Sequence, residues 1–447
     1  MLSYICAKLF FGKVVVKNQN KIPSTGPLIF VANHRNMILD AGMIRYSCKR
    51  NLYYLAKHTI FENKILGWIF KNANAIPVYR HQDNPNLVSK NIESFNAAYN
   101  IFKKGKSLMI FPEGISFAAR TLFKIKTGAA RIALNAESKD KFLLDLKIIP
   151  VGINYSDPSR FKSDVFVQYG TPISIKDYKE KYEYNSQEAV LDITHRIEES
   201  LLSLTTNLSF IELEDMITYL ELIYKNELLF KFPSKNDNEQ NFKITKEMIN
   251  AVEFYLEDNS ELRDDYVAMI SKYIRYLEKL KLDDRIIISR DKGFPKLLPE
   301  KPIKLVWFSL LFPVYLYGFI NNFFAYYISI NQLDNQRIDE VEIGQYKFFI
   351  GLGVFSLFYL MQIGTFFYYT NNFNWSFLYF VSLIPSGNFA LFYHNQIIFY
   401  LRQFRFFRIF LKRRDVIHNL EEQRRMIINF ISEAMDSYST SKEINEK

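Results

Sequence analysis

From Phe348 to Leu401 the sequence contains no Asp, Glu, Lys or Arg, and from Leu305 to Leu333 it again contains none. A helix of about 20 apolar residues crosses a bilayer core, so these stretches predict a membrane-embedded region of three segments, near 305–331, 348–370 and 376–401. Both flanks are basic: Lys296, Lys301 and Lys304 precede the first segment, and Arg402, Arg405, Arg408, Lys412, Arg413 and Arg414 follow the last. The positive-inside rule puts both flanks on the cytoplasmic side, whereas three crossings would separate them. One segment is therefore expected not to cross. The candidates are the first, interrupted by Asn321-Asn322, and the third, interrupted by Pro385 to Asn388.

The net charge of +10 suits either a nucleic acid or an anionic membrane. Many of the bases adjoin the apolar segments rather than lining a soluble face, so membrane lipid is the expected partner and nucleic acid is not. The run "RQFRFFRIFLKRR" reads as an interfacial helix against anionic lipid. "MLSYICAKLFFGK" reads as an amphipathic docking helix. Cys6 and Cys48 have no ligand spacing, and His58, His81, His195, His394 and His418 have no companions at metal-ligand spacing, so no metal is assigned.

Between Lys13 and about Thr171, β-rich runs alternate with helical ones, the pattern of an α/β layer fold. The strand candidates are "KVVVKN", "PLIFVAN", "LYYLA", "AIPVYR", "SLMIFP", "KIIPVGINY" and "VFVQYG"; the helix candidates include "MILDAGMIRYSC", "NKILGWIFKNA" and "TGAARIALNAESK". The expected organisation is a catalytic domain over residues 1–175, a charged helical arm over 176–300, the membrane-embedded region over 301–401 and a basic amphipathic tail over 402–447.

Chemistry concentrates in the first of these. "VANHRNMILDAG" leaves an apolar strand, with His34 in the exit loop and Asp40 in the first turns of the next helix. On one continuous helix these two residues would point about 240° apart, so they meet only if the histidine precedes the helix. An imidazole whose one ring N–H is held by a carboxylate can take a hydroxyl proton on the other nitrogen. Further along, Arg80 ends "AIPVYR", "FPEGIS" supplies Glu113, Gly114 and Ser116, and "IIPVGINY" places Pro150 and Gly152 in a third apolar run. Glu113 would be costly to bury alone, so a partner such as Arg80 or an acceptor hydroxyl is expected.

In this order and at these intervals, the four blocks resemble the glycerolipid acyltransferase family of 1-acylglycerol-3-phosphate and glycerol-3-phosphate acyltransferases, over about residues 20 to 175. The resemblance implies that family's α/β fold, a central mixed sheet flanked by helices. It implies His34 as general base, Asp40 as its orienting partner, and Arg80, Glu113 and Gly114 at positions that organise or contact a phosphorylated acceptor. Ser116 and Lys126 are grouped with the phosphate side, and Pro150 matches the block linked to the acyl side. Two departures stand out. Most family members place four residues between the histidine and the aspartate, and here there are five. After "FPEG" the usual Thr-Arg-Ser is replaced by Ile115-Ser116-Phe117, so Arg120, Lys124 or Lys126 would have to supply the missing cation. Thr127-Gly128, opening the next helix, could offer backbone N–H groups to an anion or simply permit close packing.

The reading that follows is an integral membrane protein with its catalytic domain on the cytoplasmic face. It would move an acyl group from coenzyme A or acyl carrier protein, as co-substrate and with no resident cofactor, to lysophosphatidate. Glycerol 3-phosphate is the alternative acceptor, and a catalytically dead lipid-binding scaffold of the same fold is the non-enzymatic alternative.

Overall fold

The computed structural model describes residues 10–79, 91–231, 238–288, 302–331 and 340–445. Its first elements follow the expected alternation: β1 (Val14–Lys17), β2 (Leu28–Ala32), α1 (Met37–Ser47), β3 (Leu52–Lys57), α2 (Lys64–Asn72), β4 (Ala75–Val78), α3 (Asn91–Lys103), β5 (Ser107–Ile110), α4 (Gly128–Lys139), β6 (Lys147–Tyr155) and β7 (Val165–Tyr169). A two-residue strand, β8 (Ile173–Ser174), and two helices, α5 (Lys179–Tyr184) and α6 (Ser186–Leu204), complete the set. The docking helix expected over the first residues lies outside the described residues.

The strands form one mixed sheet in the order β1-β7-β6-β2-β5-β3-β4, with β8 also on β6. The pairs β6–β2, β2–β5, β5–β3 and β3–β4 are parallel, while β7 and β8 run antiparallel to β6. Five parallel strands therefore deliver their carboxyl ends to one edge, where open α/β sheets bind ligands. The run "LIFVA" of β2 is buried at every residue, as a central parallel strand covered on both faces must be. On one face, Ile29 and Val31 of β2 join Leu108 and Ile148 of the neighbouring strands in a core closed by Phe102 of α3, Ala130 and Ala133 of α4, and Ile193 and Ile197 of α6. On the other, the Tyr169 ring meets Phe30 edge-on, and its hydroxyl shares a 2.7 Å hydrogen bond with Ser47 at the end of α1.

A proline inside a central strand needs a reason, since it cannot donate to the ladder. Pro150 sits where β6 changes partner: its pairing with β8 ends at Ile148, and its pairing with β7 begins at Val151. The missing N–H falls in that gap, while the Pro150 carbonyl still accepts from Gly170 N at 2.8 Å. Two residues on, a Cβ at Gly152 would lie 2.2 Å from the Leu204 carbonyl oxygen. Glycine lets the end of α6 close on the sheet.

The chain divides into two compact units, Met1–Leu208 with Asp339–Gln345, and Ser209–Ile338 with Tyr346–Lys447. The first thus keeps α6, which the expected arm over 176–300 would include; its Ala189, Ile193 and Ile197 are core residues of the sheet. The second contains α7 (Glu214–Lys231), α8 (Asn238–Asp258), α9 (Arg263–Leu280), α10 (Asp284–Ile288), α11 (Pro302–Asn331), most of α12 (Glu340–Thr370), α13 (Phe373–Lys412) and α14 (Arg414–Asn445).

Within that second unit the arm and the tail are one bundle. Phe430 of α14 stacks on Tyr266 of α9 with ring centres 4.0 Å apart. Buried Arg424 of α14 bonds Asp284 at 2.9 Å and Glu227 at 2.8 Å, and Tyr273 and Asn226 complete the hydrogen bonding of Asp284 at 2.7 and 2.9 Å. The basic run expected as a separate interfacial helix instead finishes α13, with Phe406 and Phe410 buried.

Among the described residues, three helices are long and apolar enough, by length and composition, to cross a membrane: Val306–Ile330, Val341–Thr370 and Phe373–Lys412. Neither expected break occurs, because α11 runs through Asn321-Asn322 and α13 through Pro385. The asparagines feed their amides back into the helix: Asn321 Nδ2 donates to the Tyr317 carbonyl and Asn322 Nδ2 to the Gly318 carbonyl, each at 2.8 Å. Their oxygens accept from Tyr379 at 2.6 Å and Tyr359 at 2.7 Å. Polar side chains satisfied in this way join helices rather than break them. Helices α11 and α13 pair antiparallel, since Phe308 stacks on Tyr393, Gly318 abuts Ser386, and Asn322 reaches Leu383.

Candidate active site

The chain leaves β2 through a splice. Asn33, buried, donates its amide to the Ile153 carbonyl at 2.9 Å and accepts from Ile153 N at 2.8 Å. A side chain thereby continues the β2–β6 ladder one step beyond the strand, and the backbone is released at His34.

Helix α1 then begins at Met37, with Asn36 as its N-cap. Asp40, fully buried, turns its carboxylate back toward the loop. Its Oδ2 accepts from His34 Nδ1 at 2.9 Å and from Asn36 N at 2.7 Å; its Oδ1 accepts the Tyr155 hydroxyl at 2.6 Å. A buried carboxylate is tolerable only with such partners, and three donors hold this one. With Nδ1 committed to Asp40, Nε2 is the ring nitrogen left for chemistry. The imidazole stacks on Phe111, centres 3.7 Å apart and planes within 10°. The strand-loop-helix reading of the His34 and Asp40 spacing is the geometry found.

The second loop, after β5, is pinned to the first. Glu113 is buried, and its carboxylate accepts from His34 N at 2.9 Å and Phe123 N at 3.1 Å. Among the described residues, the hydrogen-bond partners found for it are thus backbone amides. Burial pushes its carboxyl up to about 7, against the pull of those two N–H donors. Ser116 Oγ donates to the His34 carbonyl at 3.1 Å and accepts from Met37 N at 3.3 Å. Glu113 and Ser116 are therefore braces that hold the histidine's backbone.

Gly114 has φ of +70°, and a Cβ there would lie 2.5 Å from Lys126 Nζ. Glycine adopts this left-handed conformation without strain, and the exposed Lys126 side chain lies across it. Arg120, the other candidate cation, is buried, while Lys124 is exposed. Arg80 lies outside the described residues. The strand end before it is fixed by Asn91, whose amide bonds both Tyr79 N and the Tyr79 carbonyl, at 3.0 and 2.7 Å. Pro150 is a buried strand residue paired with Val31.

Three residues at the site carried no sequence signal that singled them out: Asn33, Arg35 and Tyr155. Arg35 is buried, with Nε and Nη2 on the Ala118 carbonyl at 3.0 and 2.6 Å. Tyr155 ends β6, and burial followed by the adjacent Asp40 charge raises its hydroxyl well above the ordinary tyrosine value, so it stays a neutral donor. Asn36 Nδ2 donates to the Pro158 carbonyl at 2.6 Å, and Gly344 lies against that pair: a Cβ there would be 2.6 Å from both Asn36 Oδ1 and the Pro158 oxygen.

Residues 13–154 match a family model described as Acyltransferase. The chain is 26% identical over 287 residues to glycerol-3-phosphate O-acyltransferase 1 of Saccharomyces cerevisiae, covering 60% of this chain and 36% of that one. It is 28% identical over 194 residues to the 1-acyl-sn-glycerol-3-phosphate acyltransferase of Streptococcus pneumoniae, covering 42% of this chain and 64% of that one. The chain therefore spans less than two thirds of the length of either relative. The crystal structure of the 1-acyl-sn-glycerophosphate acyltransferase of Thermotoga maritima aligns with a TM-score of 0.33 at 20% identity, over 44% of this chain and 79% of that one.

Proposed function

From the match of residues 13–154 to the Acyltransferase family model we propose that the chain is an O-acyltransferase that esterifies a hydroxyl of a phosphorylated glycerol with an acyl group from a thioester. The observation that carries this is the 2.9 Å bond from His34 Nδ1 to Asp40. His34 Nε2 takes the hydroxyl proton as the acceptor oxygen attacks the thioester carbonyl carbon, and Asp40 steadies the imidazolium. The tetrahedral intermediate expels the thiolate, the carbon–sulfur bond breaks, and the imidazolium returns its proton to sulfur. The products are an ester and a free thiol. Asp40, Asn36 and Tyr155 orient the ring, while Glu113 and Ser116 hold its backbone. Lys126 beside Gly114 and Arg80 beyond β4 supply charge for the acceptor phosphate.

For the acceptor we favour glycerol 3-phosphate, because the similarity to the yeast glycerol-3-phosphate acyltransferase runs past the catalytic domain to 60% of the chain. Lysophosphatidate is the second reading, supported by the pneumococcal relative, of which the chain covers the larger share. The donor is acyl-CoA or an acyl carrier protein thioester.

The protein works as an integral membrane protein. The Arg424–Asp284 bond, which joins α14, after the last apolar helix, to α10, before the first, supports a reading in which arm and tail share one aqueous compartment and the apolar helices make an even number of crossings. The basic flanks at both ends agree with a cytoplasmic position for both.

The test offers the purified full chain, in phospholipid micelles, acyl-CoA or an acyl carrier thioester with either acceptor. Turnover should be faster with glycerol 3-phosphate, and His34→Ala should fall by roughly 10²–10⁴-fold. Turnover with no pair of substrates would favour the inactive scaffold, and equal turnover by His34→Ala would remove the general base.

A further inference from the structure

Helix α2 follows β3, and β3 is one of the five parallel strands. It therefore starts at the same carboxyl edge of the sheet as the His34 loop after β2 and the Glu113 loop after β5, and runs back to Asn74, whose carbonyl accepts from Tyr54 N within β3. One side of α2 is fastened to the protein. Gly67 is buried, with its Cβ position 2.9 Å from the Phe61 carbonyl oxygen, and Phe70 meets Phe61 edge-on.

On the opposite side the described side chains are exposed. Trp68 is 68% exposed and Ile69 46% exposed. Side chains three and four apart share a helix face, so Lys64, Trp68, Lys71 and Asn72 form one stripe, with a lysine one turn before the tryptophan and another one turn after. Both lysines are exposed. Asn72 Nδ2 donates to the Trp68 carbonyl at 2.8 Å. From Lys57 to Tyr79 the only carboxylate is Glu62, against Lys57, Lys64 and Lys71. Glu62 faces His58 at 3.6 Å.

A tryptophan bracketed by lysines on a short amphipathic helix matches the headgroup layer of an anionic bilayer: the indole lies at the water–hydrocarbon boundary and the ammonium groups meet lipid phosphates. We propose that α2 is an interfacial docking helix which seats the catalytic edge of the sheet on anionic lipid, with Trp68 as its anchor. It rests on the reading of the chain as a membrane enzyme and adds which surface meets the lipid. Docking there holds the His34 edge at the depth where an acyl chain leaves the bilayer.

The experiment needs no turnover, so its failure is distinct from failure of the proposed activity. The chain has three tryptophans; in the Trp307→Phe, Trp375→Phe background only Trp68 emits. The full chain is reconstituted into vesicles of phosphatidylcholine and phosphatidylglycerol with bromine on shallow or on deep acyl carbons. A residue about 5–10 Å inside the headgroup boundary should lose roughly half its emission to shallow bromine and less to deep bromine. Aqueous iodide should quench it less in vesicles than in detergent. In this background Lys64→Glu with Lys71→Glu should restore iodide access on anionic vesicles. Emission insensitive to both bromolipids would overturn the proposal, whether it is quenched by iodide, as for an aqueous residue, or protected from it, as for a face covered by protein or a second copy.

Discussion

Tyr155 donates its hydroxyl to Asp40 across 115 residues of sequence, at 2.6 Å and out of reach of solvent. The last residue of β6 thus holds the carboxylate that holds the His34 ring. Removing the hydroxyl leaves one carboxylate oxygen buried with one donor fewer, and a hydrogen bond to a charged group contributes about 1.5–3 kcal/mol. Tyr155→Phe should therefore lower kcat by about tenfold with KM for the acceptor little changed. A steady-state comparison with wild type in the same micelles checks the split, and a pure KM effect would contradict it.

Glu113 makes stability depend on pH in an identifiable direction. Its carboxyl lies near 7 when folded, against 4.5 ordinarily. Between those values the folded protein binds the extra proton, so stability falls as pH rises. The contribution is complete below about 4.5 and lost as pH passes about 7, and is worth on the order of 3 kcal/mol at most. Thermal unfolding of the detergent-solubilised chain from pH 5 to 8 should show this slope, and Glu113→Gln should flatten it. An unchanged slope in the variant would assign it to other groups.

Gly344 opens a test of how the His34 loop is braced. An alanine methyl would meet Asn36 Oδ1 and the Pro158 carbonyl, each 2.6 Å from its Cβ, and Asn36 N is bonded to Asp40. Displacement of reacting groups by a fraction of an ångström is costly, so Gly344→Ala should reduce kcat by about tenfold. Gly353→Ala, further along the same helix, places its methyl where nothing lies within 4 Å and should be silent. Equal activities of the two variants would show that the loop needs no such brace.

The arm and tail provide a topological prediction. In a chain with Cys6 and Cys48 replaced by serine, Glu261→Cys in the arm and Thr440→Cys in the tail should react with an impermeant maleimide from the same side of sealed vesicles. Reaction from opposite sides would mean an odd number of crossings and a broken Arg424–Asp284 contact.

What the sequence disclosed follows from the range of the forces involved. Alternating apolar runs are local, and the seven strand candidates and the helix at "TGAARIALNAESK" were legible from them. So were His34 and Asp40, because the six-residue separation brings them together only across a loop-to-helix junction. Tyr155 and Asn33 were not, since nothing near "KIIPVGINY" or "FVANH" indicates that the end of one strand bonds to a loop more than a hundred residues away. The breaks expected at Asn321-Asn322 and Pro385 failed for a related reason: a side-chain amide can return a donor to its own helix, and the partner tyrosines lie on other segments. Glu113 reads from sequence as a carboxylate that needs a partner if it is buried, but backbone amides have no sequence signature.

The exit of β6 has a consequence for loop length. Ile153 carries Asn33, the neighbour of His34, and Tyr155, two positions on, carries Asp40. Both halves of the pair are thus gauged against one stretch of strand with a rise of about 3.3 Å per residue. The stretch from Arg35 to Leu39 bridges that interval, and the ruler beneath it keeps ring and carboxylate at bonding range.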